Sequence, residues 1–279
     1  MKKILVLFAF GVLSSLFASA QTVLDGVYVK EHVQTRKVVP YAPLREADVM
    51  WSKRIWRYID INEKINLPLK WPLSHSIKDR KSLIDVLHDA VKEGTLTAYN
   101  STDDEFTTPL TQTEAQALGV RDDTTDVVDP TTGETTQKMV HEEFKGDNVI
   151  KYRIKEDWFF DRQRSVMDVR IIGIAPIMQK INKETGEAME GDLVLYWVYF
   201  PEARKLLVNN EVFNRFNDSE RRSFDDIFMK RMFSSVIFKE SNVIDRRIQD
   251  YKTNPLDALL EAQKIKDDLF NMEHDLWEY

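Results

Sequence analysis

The segment from Tyr41 to Pro72, YAPLREADVMWSKRIWRYIDINEKINLPLKWP, combines many charged residues with three of the six tryptophans in the chain. From Ala47 onward its apolar side chains recur at the spacing of one helix face, and charged side chains occupy the rest of the circumference. The pattern predicts an amphipathic helix that ends before Pro68, because proline interrupts a helix. The inner face of this predicted helix consists of Trp51, Ile55, Tyr58, Ile59 and Asn62.

On the same predicted helix Arg54 and Arg57 lie on the outer side, and Trp56 falls between the two faces. Tryptophan and arginine are enriched in binding hot spots, although tryptophan also packs readily into cores. We therefore predict a protein-interaction surface that includes Trp51, Arg54, Trp56 and Arg57, with core packing as the alternative for the tryptophans. The segment carries no reactive group.

Residues 1–20 have the pattern of a cleavable export signal. Lys2 and Lys3 precede an apolar run, Ile4 to Phe17, and Ala18-Ser19-Ala20 resembles a cleavage site before Gln21. A membrane anchor is the alternative, but a span of the hydrocarbon core needs about 20 apolar residues and this run is shorter. We expect export, with no membrane span after cleavage.

Composition narrows the classes of partner and chemistry. The chain has no cysteine, which excludes thiol catalysis, sulfur-ligated metals and a lipid-modified cysteine after the signal. Removing residues 1–20 takes Lys2 and Lys3 from 39 basic residues, and the remaining 37 against 46 acidic residues give a net charge of −9. This balance argues against nucleic acid as a partner, because such binding depends on cations that neutralise phosphates.

The order of patterns along the chain predicts an α+β fold. Residues 21–46 lack helical periodicity and are expected to form an extended arm, which either lies on its own body or reaches a neighbouring subunit. Residues 47–250 should form the main domain, and residues 251–279 a C-terminal helix. Within the main domain, strand patterns at Ile150–Ile154, Val166–Met178 and Leu193–Phe200 predict an antiparallel meander of at least three strands flanked by helices.

Residues 100–137 differ in composition from the rest of the chain. They contain nine acidic residues, eleven threonines and a single arginine. Acidic residues do not occur here at the spacing of a calcium-binding loop. We predict a mobile acidic surface insertion in which only Glu114–Leu118 forms a short helix.

Two helices are predicted near the C-terminus. Asn217 and Glu220 have the spacing of a capping box, and two apolar rows over Phe224–Ile237 suggest burial against two surfaces, one of them a possible subunit contact that includes Phe233 and Ile237. Asn254 and Pro255 predict the start of the last helix. Its apolar seam either docks on its own domain or meets a partner helix; the seam residues are Ala258, Ala262, Ile265, Leu269, Met272 and Leu276.

A search for catalytic motifs finds no nucleophile elbow, phosphate-binding loop or zinc-protease motif. The five histidines fall in separate segments, and His88 beside Asp85 and Asp89 is a weak metal pattern. We predict no catalytic, metal or cofactor site. The remaining enzyme hypothesis is a carbohydrate-active enzyme that uses the carboxylate pair Asp157 and Asp161, which stand among aromatic residues.

Four blocks of sequence follow one another in a specific order: LREADVMWSKRIWRYIDINEKINLPL (44–69), EDWFFDRQRSVMDVRIIGIAPI (156–177), YFPEARKLLVNNEVFN (199–214) and RRSFDDIFMKRMFSSVIFKESNVIDRRIQDY (221–251). In sequence and in order these blocks resemble the GldN/PorN family of gliding-motility proteins. The resemblance covers most of the chain that follows the predicted export signal. The acidic residues 100–137 and the tail beyond Tyr251 are less tied to the family pattern, and nothing functional is carried onto them.

The resemblance implies a periplasmic component of the type IX protein secretion and gliding motility machinery of Bacteroidetes. It implies large rings built with an outer-membrane lipoprotein, GldK or PorK, and contact with the inner-membrane motor protein GldM or PorM. The family contributes no catalytic motif, so the resemblance implies a non-enzymatic structural role at the outer membrane.

Overall fold

The segment that opens the fold, Val49–Asp60, forms a long strand. The computed structural model describes residues 36–73, 80–118, 121–128, 135–142, 144, 146–181, 188–217 and 219–276. The predicted export signal, 1–20, and the first part of the predicted arm, 21–35, lie outside these residues. The elements described below belong to one compact unit that begins at Val33.

Nine strands and seven helices make up the described fold. The strands are β1 Val49–Asp60, β2 Ala98–Tyr99, β3 Arg121–Val128, β4 Thr135–Glu142, β5 Val149–Asp161, β6 Val166–Ile181, β7 Ala188–Val194, β8 Trp197–Tyr199 and β9 Val236–Glu240. The helices are α1 Leu67–Lys70, α2 Leu83–Lys92, α3 Gln112–Ala117, α4 Phe200–Leu207, α5 Phe224–Met229, α6 Ile248–Tyr251 and α7 Pro255–Asp275.

Seven of the strands form one antiparallel sheet in the order β2-β8-β6-β5-β1-β9, with β7 also paired to β6. The remaining two, β3 and β4, form a separate hairpin. The predicted α+β class with an antiparallel meander is confirmed, because β5, β6 and β7 follow one another in sequence and pair in turn.

The helix predicted from Ala47 to a point before Pro68 is wrong, because β1 occupies most of this stretch and pairs with β5 along its length. Ile55 and Ile59 are fully buried on one face of the sheet, while Trp56 packs on the opposite face against Ala175 and Trp197. Both faces are therefore covered. A half-buried strand shows apolar and polar residues in alternation. The sequence of β1 does not show this alternation, because Arg57 takes an inward position between the two isoleucines.

The predicted helix over Phe224–Ile237 is also too long. The α5 helix starts at Ser223, whose hydroxyl accepts from the backbone N–H of Asp226 at 3.1 Å, so the cap lies six residues after the predicted Asn217. The helix ends at Met229, and Arg231 then takes a positive φ of 52° that turns the chain. The β-branched pair at Val236 and Ile237 begins β9.

The last predicted helix, α7, could either dock on its own domain or meet a partner helix. Asn254 caps it, accepting from the backbone N–H of Leu256 at 3.2 Å, as predicted. Its seam residues Ala262, Ile265 and Leu269 are buried against Ile55 of β1 and Ile237 of β9. The seam therefore docks on its own domain.

The main core lies on the same face of the sheet, beside the α7 contact. There α2, α4 and α5 cover β1, β5 and β6, with Tyr152, Phe200 and Phe228 among the largest buried side chains. The opposite face carries a smaller aromatic cluster around Trp56, Trp197 and Phe238.

Residues 100–137 contain more regular structure than the predicted insertion. The short helix is confirmed as α3, capped by Thr111, and it is followed by β3 and the start of β4, which pair in register. The turn before α3 also contacts the body, because the Trp56 indole N–H donates to the Asp104 carboxylate.

The described end of the arm, residues 36–46, lies on its own body. Arg204 donates to the carbonyl of Val39 at 2.9 Å, and Arg170 donates to that of Ala42 at 2.6 Å. The ring of Tyr41 lies between these two guanidinium groups, 5.0 Å from Arg170 and 4.5 Å from Arg204. Of the two arm placements left open by the sequence, the described residues adopt the first.

Candidate protein-interaction surfaces

The six predicted interaction residues lie in separate surroundings. Trp51 is partly buried beside the α7 seam, where Ile237 is also buried. Phe233 is partly buried against Phe228, with ring centroids 5.7 Å apart. The other three lie on β1, as Trp51 does: Trp56 and Arg57 are buried, and Arg54 keeps 43% of its side chain exposed. A contact between any of them and a partner stays a prediction.

Arg54 is the most accessible of the three. It stands directly opposite Asp157 of β5 and donates from Nε at 2.7 Å and from Nη2 at 3.0 Å. This two-point pairing fixes the planar guanidinium and neutralises its charge. The surface at Arg54 therefore presents an arginine paired with a carboxylate.

Trp56 anchors a loop and is not itself presented to solvent. Its indole N–H donates to Asp104 at 2.5 Å. Lys239 and Lys155 lie over its ring, with Nζ 4.3 and 5.8 Å from the centroid. Packing and cation–π attraction within the chain therefore explain why a tryptophan and two lysines lie together on this face, without a partner protein.

Arg57 belongs to a buried ionic cluster that the sequence did not reveal. Glu156, which is fully buried, accepts from Arg57 Nε at 3.1 Å, from Arg231 Nη1 at 2.9 Å and Nη2 at 3.2 Å, and from the Trp158 indole at 3.1 Å. Both guanidinium groups lie over the Trp158 ring, at 5.6 and 5.3 Å. Burial lowers the pKa of Arg57, an effect that the charge of Glu156 opposes.

In the sequence, only the alternation of residues along β5 could have indicated this ionic cluster. Glu156 and Trp158 are two residues apart on β5, so they share a face with the buried Ile154. A charged residue at an inward position implies an opposite charge beside it. Nothing in the sequence identified Arg231 as one of the partners, because it comes from a turn 75 residues further along the chain.

The outer side of α7 presents an apolar surface that the sequence analysis missed. Leu256, Leu259 and Leu260 are 62%, 55% and 61% exposed, and they lie off the seam that docks on the sheet. We call these three residues the leucine row. Single exposed leucines are ordinary, but adjacent ones on one helix face are typical of a contact surface. Helical spacing could have identified them, since Leu259 and Leu260 lie three and four residues after Leu256 and so neighbour it on the helix surface.

A second apolar feature is a cavity of about 460 Å³ beside α1. Trp71 and Phe213 line it with edge-to-face rings 6.2 Å apart, and the adjacent Phe216 is 83% exposed. Glu220 and Arg222 on its rim bond to each other, so the rim carries a neutralised pair as well as Arg215 and Lys64.

The carboxylate pair of the enzyme hypothesis does not have the surroundings of a glycosidase site. Asp157 is held by Arg54, and Asp161 accepts from Arg164 Nε at 2.7 Å. The hydrogen bond from Arg164 lowers the pKa of Asp161. A general acid in glycoside hydrolysis needs the opposite shift, because it must stay protonated near neutral pH.

The described residues show neither a metal site nor a membrane-spanning helix. Among the side chains that the structure describes, no group of three or more His, Asp or Glu is arranged to hold a metal ion. His88 stacks on Phe144 at 4.1 Å. In the described part of the chain, no helix combines the length and apolar character of a membrane span.

Comparison with known families gives one match. A family model described as gliding motility associated protein GldN matches residues 44–278. The match includes β1, the whole sheet, the ionic cluster and the leucine row. A search of curated proteins returned no match.

Proposed function

The chain belongs to the GldN family of gliding motility associated proteins, and from this we propose that it is a non-enzymatic structural component of the type IX secretion and gliding machinery. In this role it is exported, loses residues 1–20 and works in the periplasm. It assembles with an outer-membrane lipoprotein of the GldK or PorK type into large rings and contacts an inner-membrane motor protein of the GldM or PorM type.

The family match over residues 44–278 is the observation that carries this proposal. The leucine row supports it, because exposed apolar side chains on one helix face favour a contact with another protein. The docked arm supports it as well. Since residues 36–46 are held by Arg170 and Arg204 of the same chain, the body presents a defined surface to a partner.

Co-purification with the lipoprotein encoded by the same organism tests the assembly. The two proteins, expressed together without the lipid-attachment cysteine of the partner, should elute as one species, and light scattering should give a mass of many copies of each. A chain that stays monomeric and unbound in the presence of the lipoprotein would refute the ring proposal. In the same experiment, the double variant Leu259→Ser with Leu260→Ser tests whether the leucine row is part of the contact, because its binding to the lipoprotein should weaken.

The compartment is tested separately. Fractionation of cells should place the chain in the periplasm, and N-terminal sequencing should begin at Gln21. Recovery of full-length chain in the cytoplasm would contradict export. Turnover of a polysaccharide by the purified chain that is lost in Asp157→Asn would instead favour the carbohydrate-active enzyme.

A further inference from the structure

A small cavity opens beside the buried ionic cluster. Its volume is about 270 Å³, and it lies between β1 and β5, the turn after α5, and α7. This is below the usual range of small-molecule sites, about 300–1,000 Å³. A cavity of this size fits a single side chain. Charged residues from three parts of the chain line it: Arg57 on β1, Arg231 in the turn, and Lys266 and Glu273 on α7.

The positive charge of the cluster exceeds its negative charge. Within the described residues, Glu156 is the only carboxylate that bonds to Arg57 or Arg231, so one carboxylate serves two guanidinium groups. Arg57 is 5% exposed and uses only Nε in a hydrogen bond to the described part of the chain. Because Arg57 is buried and shares with Arg231 the only carboxylate partner that it has among the described residues, one positive charge of the cluster is left in excess, and the site favours a second anion.

The lining indicates which anion fits. Trp158, Phe233, Leu269 and Phe270 give the cavity apolar walls that suit the methylene groups of a side chain. The carboxylate of Glu273 at the lining disfavours a doubly charged group such as phosphate. A guanidinium group matches a carboxylate in geometry and charge.

We propose that this cavity binds the carboxylate of an acidic side chain from another protein, with Arg57 and Lys266 supplying the attraction. The inference deepens the proposed function and rests on it only for the source of the side chain, which would be an assembly partner. The binding chemistry itself requires no partner. It can therefore be tested on the purified chain alone.

The direct probe is capped glutamate, N-acetyl-glutamate amide, with capped glutamine as its neutral match. The readout is the indole N–H signal of Trp158, one of six tryptophan signals in the chain, assigned with Trp158→Phe. At constant ionic strength, capped glutamate should shift this signal saturably and capped glutamine should not. The Trp71 signal, from the separate cavity beside α1, should stay constant.

Two lysines of α7 give a matched pair of variants. Lys264 and Lys266 are both exposed, but only Lys266 lines the cavity. Lys266→Glu should weaken binding of capped glutamate by about fivefold or more, as removal of a favourable charge does, and Lys264→Glu should leave it unchanged. Both variants should keep the wild-type melting temperature.

Several results would overturn the inference. These are no saturable shift, an equal response to capped glutamine, equal weakening by both lysine variants, or tighter binding of inorganic phosphate than of capped glutamate. None of these results depends on ring assembly. If the probe binds as expected but the chain does not associate with the lipoprotein, the carboxylate site stands and the proposed function fails.

Discussion

Arg204 and Asp225 form a buried ion pair, with Nε to Oδ1 at 2.8 Å and Nη2 to Oδ2 at 3.2 Å. The pair joins α4 to α5, and Arg204 also holds the arm through the Val39 carbonyl. Arg204 thus links the main core to the described end of the arm. A buried ion pair need not stabilise a fold more than apolar residues would, but loss of one partner leaves the other charge unpaired.

Replacing Arg204 should therefore destabilise the body and release the arm. We expect Arg204→Met to lower the free energy of unfolding by about 3–5 kcal/mol, since the Asp225 carboxylate stays buried without its partner. Urea unfolding measures the loss, and limited proteolysis near Tyr41 measures release of the arm. Arg36→Ala removes a partly exposed pair with Asp226 and should cost about 1 kcal/mol or less. Equal losses in the two variants would contradict the prediction.

Two arginines of β1, three residues apart, should respond differently to the same change. Arg54→Ala breaks a partly exposed pair with Asp157 and should change the free energy of unfolding by about 1 kcal/mol or less. Arg57→Ala removes a buried partner of Glu156 and should cost roughly 3 kcal/mol, the lower end for a buried pair, because Arg231 still bonds to the carboxylate. Denaturant titration of both variants tests this difference, and an Arg54→Ala loss as large as that of Arg57→Ala would refute it.

The leucine row should affect association without affecting stability. Leu259→Ser with Leu260→Ser changes only exposed side chains, so unfolding should change by about 0.5 kcal/mol or less per site. Binding to the lipoprotein, measured by light scattering or surface-immobilised titration, should weaken. Asp268→Ser on the same helix is the control for an exposed substitution. Normal assembly by the leucine variant would remove this face from the proposed contact.

His88 should make stability depend on pH. Burial lowers its pKa, while the nearby Asp89 opposes that effect. The unfolded chain has the ordinary histidine pKa of about 6.5. Because the folded value is lower, the contribution of neutral His88 is fully present above pH 6.5 and is lost as the pH falls through the folded value.

The measurement compares melting temperatures at pH 7.5 and 5.5. The wild type should lose more stability on acidification than His88→Gln, which cannot take up a proton in this range. A wild-type-like pH dependence in His88→Gln would show that other groups cause it.

Local patterns predicted the parts of the fold that depend on local interactions. The cap at Asn254 and the seam of α7 were correct, because helix signals lie within a few residues of one another. The strand predicted over Ile150–Ile154 was correct, and its side chains Tyr152 and Ile154 are buried in the core. The alternation was only partly correct, because Lys155 on the opposite face is buried as well. Gly94, at a φ of 75°, follows the end of α2, a position where the left-handed conformation favours glycine.

The errors arose where long-range contacts decide the conformation. Val49–Asp60 is a strand because β5 and β9 pair with it and both of its faces are covered. No local signal reports that environment, and the spacing of Trp51, Ile55 and Ile59 fits a helix equally well. The interaction residues predicted on that helix do not share one surface, for the same reason. In the strand, Arg54 and Trp56 lie on one face of the sheet, and Arg57 lies on the other.

The position of β1 in the sheet also constrains how the chain can fold. Arg54 and Asp157 are 103 residues apart in sequence, and β9 lies still further along. Formation of such distant pairs requires closure of long loops and slows folding. During synthesis, Trp51 and Trp56 emerge well before either neighbouring strand. A chain with this topology cannot complete its sheet until residue 240 is available, so β1 stays without its full set of strand partners and exposed to aggregation until then.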